Sequence, residues 1–469
     1  MARVLFVQRF QLMQCENLAV AQLAAVLEAA GHACDVELVR RVDAESLERI
    51  RAYAPDVIGF SLMTIDADWV LEAVAAIRQD GSRAFVIAGG PHPTYFPDFL
   101  RSEGIDAINL GEGEGSLLEL ADALDRGDDV TAIRNLHVKQ GEQVHRNPVR
   151  PWVELAELPP PNRDLYLKYD AFREQRTYGF TVTRGCPYEC SFCFIHQWRE
   201  LYRPVHKKAK FRVRPVEQAI AELQAFVAKV EVDLISFVDS TFNVDKRWTI
   251  AFLEEYGRSV GLPFTINIRP NLVDEDVVRA IAATGCCQTV RMGVEVGSER
   301  VRREVLHKHI TNEQIYQTAD LLAAHGVKLV IYTMYGLPGE TLDDALETVR
   351  MAQKIRPFSI SAQLFHPYPG LNVTKLAVEK GYLGPEDPLK LARKEYRATR
   401  SLLRQPEIEQ VVNLLKLSVL AARFPLLLPL VARLVRLPAN KLFDLIYMVS
   451  ALLMVRKYCS FPLSAVKNL

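Results

Sequence analysis

No charge of either sign dominates this sequence: 57 Lys and Arg residues balance 57 Asp and Glu. That balance gives no electrostatic reason for nonspecific nucleic-acid binding, so no nucleic-acid partner is expected. Cysteine is scarce. Eight in 469 residues are too few for a disulfide scaffold. Long apolar runs are missing as well. In the leucine-rich C-terminal segment the longest uncharged runs are Leu445–Val455 (11 residues) and Phe424–Ala432 (9 residues), too short to span a bilayer. The opening MARVLFVQRF has no signal-peptide h-region and no small-residue cleavage site. These absences point to the cytoplasm, with reduced thiols. No internal repeat or low-complexity tract is found. A chain that is 49% hydrophobic and 24% charged is ordinary globular material, which excludes a largely disordered or fibrous protein. Its length suggests roughly two to four domains.

The pattern along the chain divides it into four parts. Residues 1–147 alternate short apolar strands with helical stretches, ending in Gly111-Glu112-Gly113-Glu114 and a tail beyond it. That alternation predicts a doubly wound, Rossmann-like parallel sheet, whose ligands sit at the carboxyl ends of its strands. Those ends carry Ser61, Gly89-Gly90 and Glu112. Residues 148–177, with Pro159-Pro160-Pro161, read as a linker. From 178 to 385 the alternation restarts with six βα-type units, too few for an eightfold barrel, so a partial (β/α)6 barrel is expected, again with its chemistry at the strand ends. Residues 386–469 change to a C-terminal helical segment, first charged (Leu389–Arg404), then leucine-rich.

The sharpest signal is Cys186-Pro187-Tyr188-Glu189-Cys190-Ser191-Phe192-Cys193. Three thiolates at CxxxCxxC spacing can wrap one [4Fe–4S] cluster from a single loop and leave one iron open to an outside ligand. The same spacing also suits a zinc site completed by His196, or three core cysteines.

The downstream motifs narrow that choice. With Asp239 in FVDSTF, Gly293–Ser298 in GVEVGS and Gly336–Thr341 in GLPGET, the chain resembles the radical S-adenosylmethionine (SAM) superfamily. The resemblance implies that Cys186, Cys190 and Cys193 hold the cluster and that its open iron chelates SAM. One electron, from a donor such as flavodoxin or ferredoxin, then releases a 5′-deoxyadenosyl radical. It places Asp239 at the SAM amino group, Glu295 and Ser298 at the ribose and carboxylate, and Gly336 and Phe192 on the adenine side. Each has a plainer reading. Asp239 suits a turn or a helix cap, Ser298 suits the cap of a helix beginning at Glu299, and GLPG is a good turn whatever it binds. Many relatives have a second acid after the Asp239 position, where this chain has Ser240.

The first 150 residues resemble the cobalamin-binding domain fused to one large group of these enzymes, through Gly59–Leu62, Ala88–Thr94 and Gly111–Glu114. This implies cobalamin near Ser61, Gly89, Gly90, His92 and Glu112. The best-known cobalamin site has an Asp-x-His-x-x-Gly loop after the first strand. Here Gln8–Cys15 has neither His nor Gly, so no lower ligand from the protein is expected. Cys15 reads as a loop cysteine and His32 as a surface residue. Together the resemblance implies cobalamin-dependent C-methylation of a small molecule. An apolar or lipid-like acceptor such as an isoprenoid fits best, because the leucine-rich segment, punctuated by Arg423, Arg433, Arg436 and Lys441, suits peripheral membrane contact as well as it suits a cap on the barrel. The rivals are a non-methylating rearrangement, cyclisation or dehydration with the N-terminal domain as scaffold, and an iron–sulfur or cobalamin redox sensor.

Overall fold

A computed structural model describes residues 1–10, 16–206, 211–388 and 399–458, with backbone only for 454–458. Cys15, Cys459 and positions 389–398 of the expected charged helix lie outside the described residues; its remaining stretch, 399–404, is not helical.

The described chain divides into two compact units. The first comprises Met1–Glu174 and Gln197–Arg212; the second contains 175–196, 213–388 and 399–458. In the first, strand alternation does what the sequence pattern predicts. Val4 and Phe6 point to one face of the sheet and Leu5 and Val7 to the other, each face meeting its own layer of helices. The sheet has seven strands, in the order Ala33–Val39, Arg3–Arg9, Val57–Ser61, Phe85–Gly89, Ala107–Asn109, Leu136–Gln140, Gln143–Arg146. The first five are parallel, and the last two form an antiparallel edge that the sequence reading did not separate.

The stretch expected as a linker is not a spacer. Val149, Trp152, Leu155, Leu165, Tyr166 and Phe172 are buried, and Arg163 forms a buried ion pair with Glu16. Its prolines suppress regular structure, but its apolar side chains still find the core. His32 is buried rather than on the surface. Its Nδ1 accepts from the Ala2 N–H at 3.1 Å, and its Nε2 lies 3.1 Å from Asp122.

The second unit is a six-stranded parallel partial barrel in the order Ser359–Leu364, Leu329–Tyr335, Cys287–Glu295, Phe264–Ile268, Leu234–Phe237, Thr177–Phe180. Helices Val216–Val227, Lys246–Ser259, Glu275–Ala283, Asn312–Ala324 and Leu342–Ile355 cover it. Of these, the sequence reading missed only Lys246–Ser259. Thr311 and Thr341 start their helices with capping boxes, which satisfy backbone donors left free at a helix start. At the C-terminus, Ile408–Arg423 packs on Leu342–Ile355 and buries Val411, Leu414, Leu415 and Leu417. The leucine-rich pieces Leu428–Leu434 and Lys441–Tyr458 lie against that helix.

Candidate functional site

The cysteine loop follows strand Thr177–Phe180 and is tied down by its neighbours. Asp239, at the end of the next strand, is buried. Its Oδ1 accepts from the Val182 N–H (3.0 Å), the Thr183 N–H (2.6 Å) and the Thr183 hydroxyl (2.7 Å). Asp239 therefore fixes the two residues that lead into Arg184-Gly185-Cys186. Its Oδ2 is buried and has no partner among the described residues. Burial pushes the Asp239 carboxyl up to about 6, against the pull of its hydrogen bonds with Thr183 and Val182. The Ser191 hydroxyl donates to Val305 O at 2.6 Å, and the Ser191 N–H to Leu306 O at 2.9 Å. The loop is thus held from two sides.

Cys186, Cys190 and Cys193 are all free thiols. Burial raises Cys190 and pushes Cys193 up to about 11, and the Cys193 thiol lies within electrostatic reach of both Cys190 and Cys186. Two cations oppose burial at Cys190, Lys308 and Arg269. The Arg269 guanidinium donates to Cys190 Sγ at 3.7 Å and stacks 3.5 Å from the Tyr188 ring. Cys186 Sγ lies 3.7 Å from the Thr241 hydroxyl. Cations beside converging thiols suit an anionic iron–sulfur cluster, because thiolates are the ligating form. Among the described residues no three His, Cys, Asp or Glu side chains close on a single ion. A cubane differs from zinc here, since its three thiolates sit on three separate irons.

Glu295 ends strand Cys287–Glu295 with φ +62, a left-handed backbone that costs a non-glycine residue roughly 1–3 kcal/mol. Its Oε1 accepts from Lys308 Nζ at 2.7 Å, while the same Nζ donates to Gly293 O at 2.6 Å. Glu295, Lys308, Arg269 and Cys190 thus form one neighbourhood at the strand ends.

The other expected SAM residues are placed differently. Ser298 stands at the N-cap of Glu299–Glu304 without a side-chain cap bond; its hydroxyl donates to Asp344 Oδ1 at 2.6 Å instead. Gly336 has φ +78, and its N–H donates to Glu340 Oε2 at 2.6 Å. Phe192 is partly buried against the apolar cluster around Val296, Leu306 and Leu337. Gln405 locks the GLPGET turn from outside it. Its Oε1 accepts from the Gly339 N–H (2.7 Å), and its Nε2 donates to Leu337 O (2.8 Å). Arg269, Lys308 and Gln405 were missed by sequence reasoning. Only the strand-end position of Arg269, in NIRPN, gave a signal.

At the carboxyl edge of the N-terminal sheet, Ser61 pairs in register with Gly89 on the adjacent strand. Ser61 Oγ accepts from Asn17 Nδ2 at 3.3 Å. Gly90 has φ +96, and a Cβ there would sit 2.9 Å from Leu62 O, so only glycine fits. The close approach is to the chain's own backbone at Leu62, so this glycine is required by the packing of the strand-end loop. His92 lies in the short helix Pro91–Tyr95, is buried and stacks on Phe96; its Nδ1 is 3.3 Å from the Thr64 hydroxyl. Burial pulls it down to about 4, so it is neutral at ordinary pH.

Glu112, expected near cobalamin, is engaged within the chain. It is buried against Arg212 through two bonds (2.5 and 3.0 Å) and also accepts from the Val153 N–H at 3.0 Å. Both carboxylate oxygens thus have partners within the chain. A groove of about 770 Å³ opens at the opposite, amino edge of this sheet. Two of the three arginines that line it are engaged, Arg51 with Asp80 at 2.9 Å and Arg78 with Asp106 at 2.5 Å.

Residues 180–352 match the family model of the radical SAM superfamily, and residues 12–121 match that of the B12 binding domain. An uncharacterised methyltransferase of Pyrococcus horikoshii is 30% identical over 346 residues, covering 71% of this chain and 72% of that protein. The anaerobic magnesium-protoporphyrin IX monomethyl ester cyclase of Rubrivivax gelatinosus is 26% identical over 371 residues, covering 75% of this chain and 64% of the cyclase. Among solved structures, the radical SAM methyltransferase TsrM of Kitasatospora setae, with tryptophan and a SAM analogue bound, superposes with a TM-score of 0.66 at 20% identity, over 81% of this chain and 76% of that one.

Fold and site together define an iron–sulfur, SAM-using enzyme class with an N-terminal cobalamin-type sheet. The chain belongs to the radical SAM superfamily, in the group that carries a B12 binding domain. Its cofactors are accordingly a [4Fe–4S] cluster, SAM and cobalamin.

Proposed function

We propose that this enzyme is a cobalamin-dependent methyltransferase that methylates an unactivated carbon of an apolar small molecule. The observation that carries the reading is the union, in one chain, of a three-thiol loop flanked by cations and a B12-type sheet edge. The 30% identity to a methyltransferase over most of its length supports it. When bound, the cofactors would relay one electron from an external donor and supply the deoxyadenosyl radical and the methyl group.

The residues of this chain do the remaining work. Cys186, Cys190 and Cys193 would hold the cluster to which SAM binds. Arg269 and Lys308 offset the cost of burying thiolate charge. Asp239 Oδ1 fixes the approach to the loop, and its unpartnered Oδ2 offers an acceptor to the SAM ammonium. Glu295 is oriented by Lys308 toward the role the family gives it at the ribose and carboxylate. Phe192 and Gly336 would flank the adenine, and Ser61 with Gly89-Gly90 would receive the cobalamin. Ser298, held by Asp344, would stand on the carboxylate and ribose side of SAM. His92 would stand beside the ligand as a neutral side chain. An apolar acceptor is the substrate class we favour, since leucine-rich helices adjoin the barrel's outer helices.

The 26% identity to the cyclase over 75% of the chain favours a second reading, radical rearrangement or cyclisation without methyl transfer. Anaerobic reconstitution with iron, sulfide and hydroxocobalamin separates the two. The methylating reading expects about four irons and about one cobalt per chain, and S-adenosylhomocysteine formed alongside 5′-deoxyadenosine. Iron without cobalt, with 5′-deoxyadenosine alone, would overturn it in favour of the second.

A further inference from the structure

We infer that the outer face of the C-terminal helices, residues 423–453, is a docking surface for a bilayer with anionic headgroups. Fourteen large hydrophobic side chains are exposed among the described residues, and ten of them fall between Phe424 and Leu453. Leu426 is 95% exposed. Scattered exposed leucines are normal on a soluble protein, but a concentration in one short stretch is not.

Helix Lys441–Tyr458 shows why the pattern is not spare core. Phe443, Ile446 and Tyr447 pack inward beside Leu414, Leu415 and Val431, and the Tyr447 hydroxyl donates to Ala362 O at 3.2 Å. That face accounts for half the helix. Leu442, Leu445, Val449 and Leu452 are exposed, at spacings that place them on one stripe of the helix. The helix is therefore apolar on both sides, and only one side is explained by folding.

The charges identify the occupant. Arg423, Arg433, Arg436 and Lys441 are exposed around these side chains. The single acid in the stretch, Asp444, is paired with Lys416 at 2.9 Å. Apolar side chains flanked by cations suit an interface whose acyl boundary lies beneath negative headgroups. A second copy of the chain would instead bring the same arginines against one another. Among the described residues no helix is long and apolar enough to cross a membrane. Pro425 and Pro429 stand in the first turns of Pro425–Leu427 and Leu428–Leu434, and Pro438 separates the latter from Lys441–Tyr458.

The test uses the full chain in co-sedimentation with vesicles of phosphatidylcholine, alone or with roughly a third phosphatidylglycerol. The wild type should pellet with the anionic vesicles and be released by about 0.5 M salt. Leu445→Glu/Leu452→Glu should lower binding by about tenfold or more, with an unchanged circular dichroism spectrum. Arg433→Glu/Arg436→Glu/Lys441→Glu should do the same; it alters only exposed cations and keeps the test decisive if the leucine variant misfolds. A wild type that stays in the supernatant overturns the inference. So does a dimer, seen by light scattering, that the leucine variant makes monomeric, because a second copy would then cover this face. No readout involves SAM or cobalamin, so failure here leaves the methyltransferase reading untouched, and the converse holds.

Discussion

The two strand-end regions of this molecule spend their polar groups in opposite ways. At the barrel ends, Asp239 and Glu340 are buried carboxylates that each keep one oxygen without a partner among the described residues. At the edge of the N-terminal sheet several polar groups are engaged internally. Glu112 is engaged by Arg212 and Val153, Asn109 by Gly111 and Ser116, and Thr94 by Gly90 and Gly111. The first region retains polar capacity for a charged ligand. The second offers backbone and shape, which suits a large ligand held by many weak contacts. The substitutions below test that contrast.

The largest effect is expected at the thiols. Cys190→Ala should abolish 5′-deoxyadenosine formation and lower the iron bound after reconstitution. Deoxyadenosine that persists at the wild-type rate would remove the three-thiol loop from the chemistry. Next comes Glu112→Ala, which strands the buried Arg212 charge. Breaking such a pair costs about 3–5 kcal/mol, so the melting temperature should fall sharply, and Arg212→Ala should behave alike. If Glu112→Ala instead melts like the wild type and loses only cobalt, Glu112 is a ligand and the contrast between the two regions fails.

How far the sequence alone reached depends on the range of the interaction. The cysteine loop was legible because its chemistry sits within eight residues. Alternation put Asp239 and Glu295 at strand ends, but only the resemblance of FVDSTF and GVEVGS to the family's motifs singled them out. The partner of Glu112 was not, because Arg212 is 100 residues away and no local period points to it. The burial of His32 depends on Ala2 and Asp122, again beyond any local pattern. The supposed linker misled for a related reason. Its prolines report on backbone conformation and say nothing about where Trp152 and Tyr166 pack. The roles of Arg269 and Lys308 became visible only once two strand ends and the loop after Glu299–Glu304 met at Cys190.

A smaller effect distinguishes positioning from binding at Asp239. In Asp239→Asn the side-chain oxygen can still accept from Val182 and Thr183, so the loop should hold and the cluster should assemble. The unpartnered acceptor becomes a donor, and SAM affinity should fall by about tenfold or more, in line with the roughly 1–3 kcal/mol of a lost charged hydrogen bond. Equilibrium dialysis with labelled SAM reads this directly. Unchanged affinity with intact iron would leave Asp239 a purely structural residue.

The smallest effect isolates the other buried carboxylate from any cofactor. Glu340 Oε2 accepts from the Gly336 and Leu337 N–H groups (2.6 and 3.0 Å), yet burial still pushes its carboxyl up to about 8 from 4.5. The folded chain therefore keeps a proton that the unfolded chain gives up above pH 4.5. The stability this group contributes is complete below that value and is lost as pH rises through about 8. Asp239, raised to about 6, acts in the same direction at lower pH. The apoprotein should accordingly melt at a lower temperature at pH 8 than at pH 6, with Glu340 contributing on the order of 1–2 kcal/mol across that interval. Glu340→Gln removes the titration while keeping an oxygen for the two N–H groups, so it should flatten that part of the slope. If the variant melts with the wild-type slope, the Glu340 carboxyl is already ionised at pH 6. Its second oxygen must then have found a partner, and the barrel ends would resemble the internally engaged sheet edge more closely than the contrast drawn above allows.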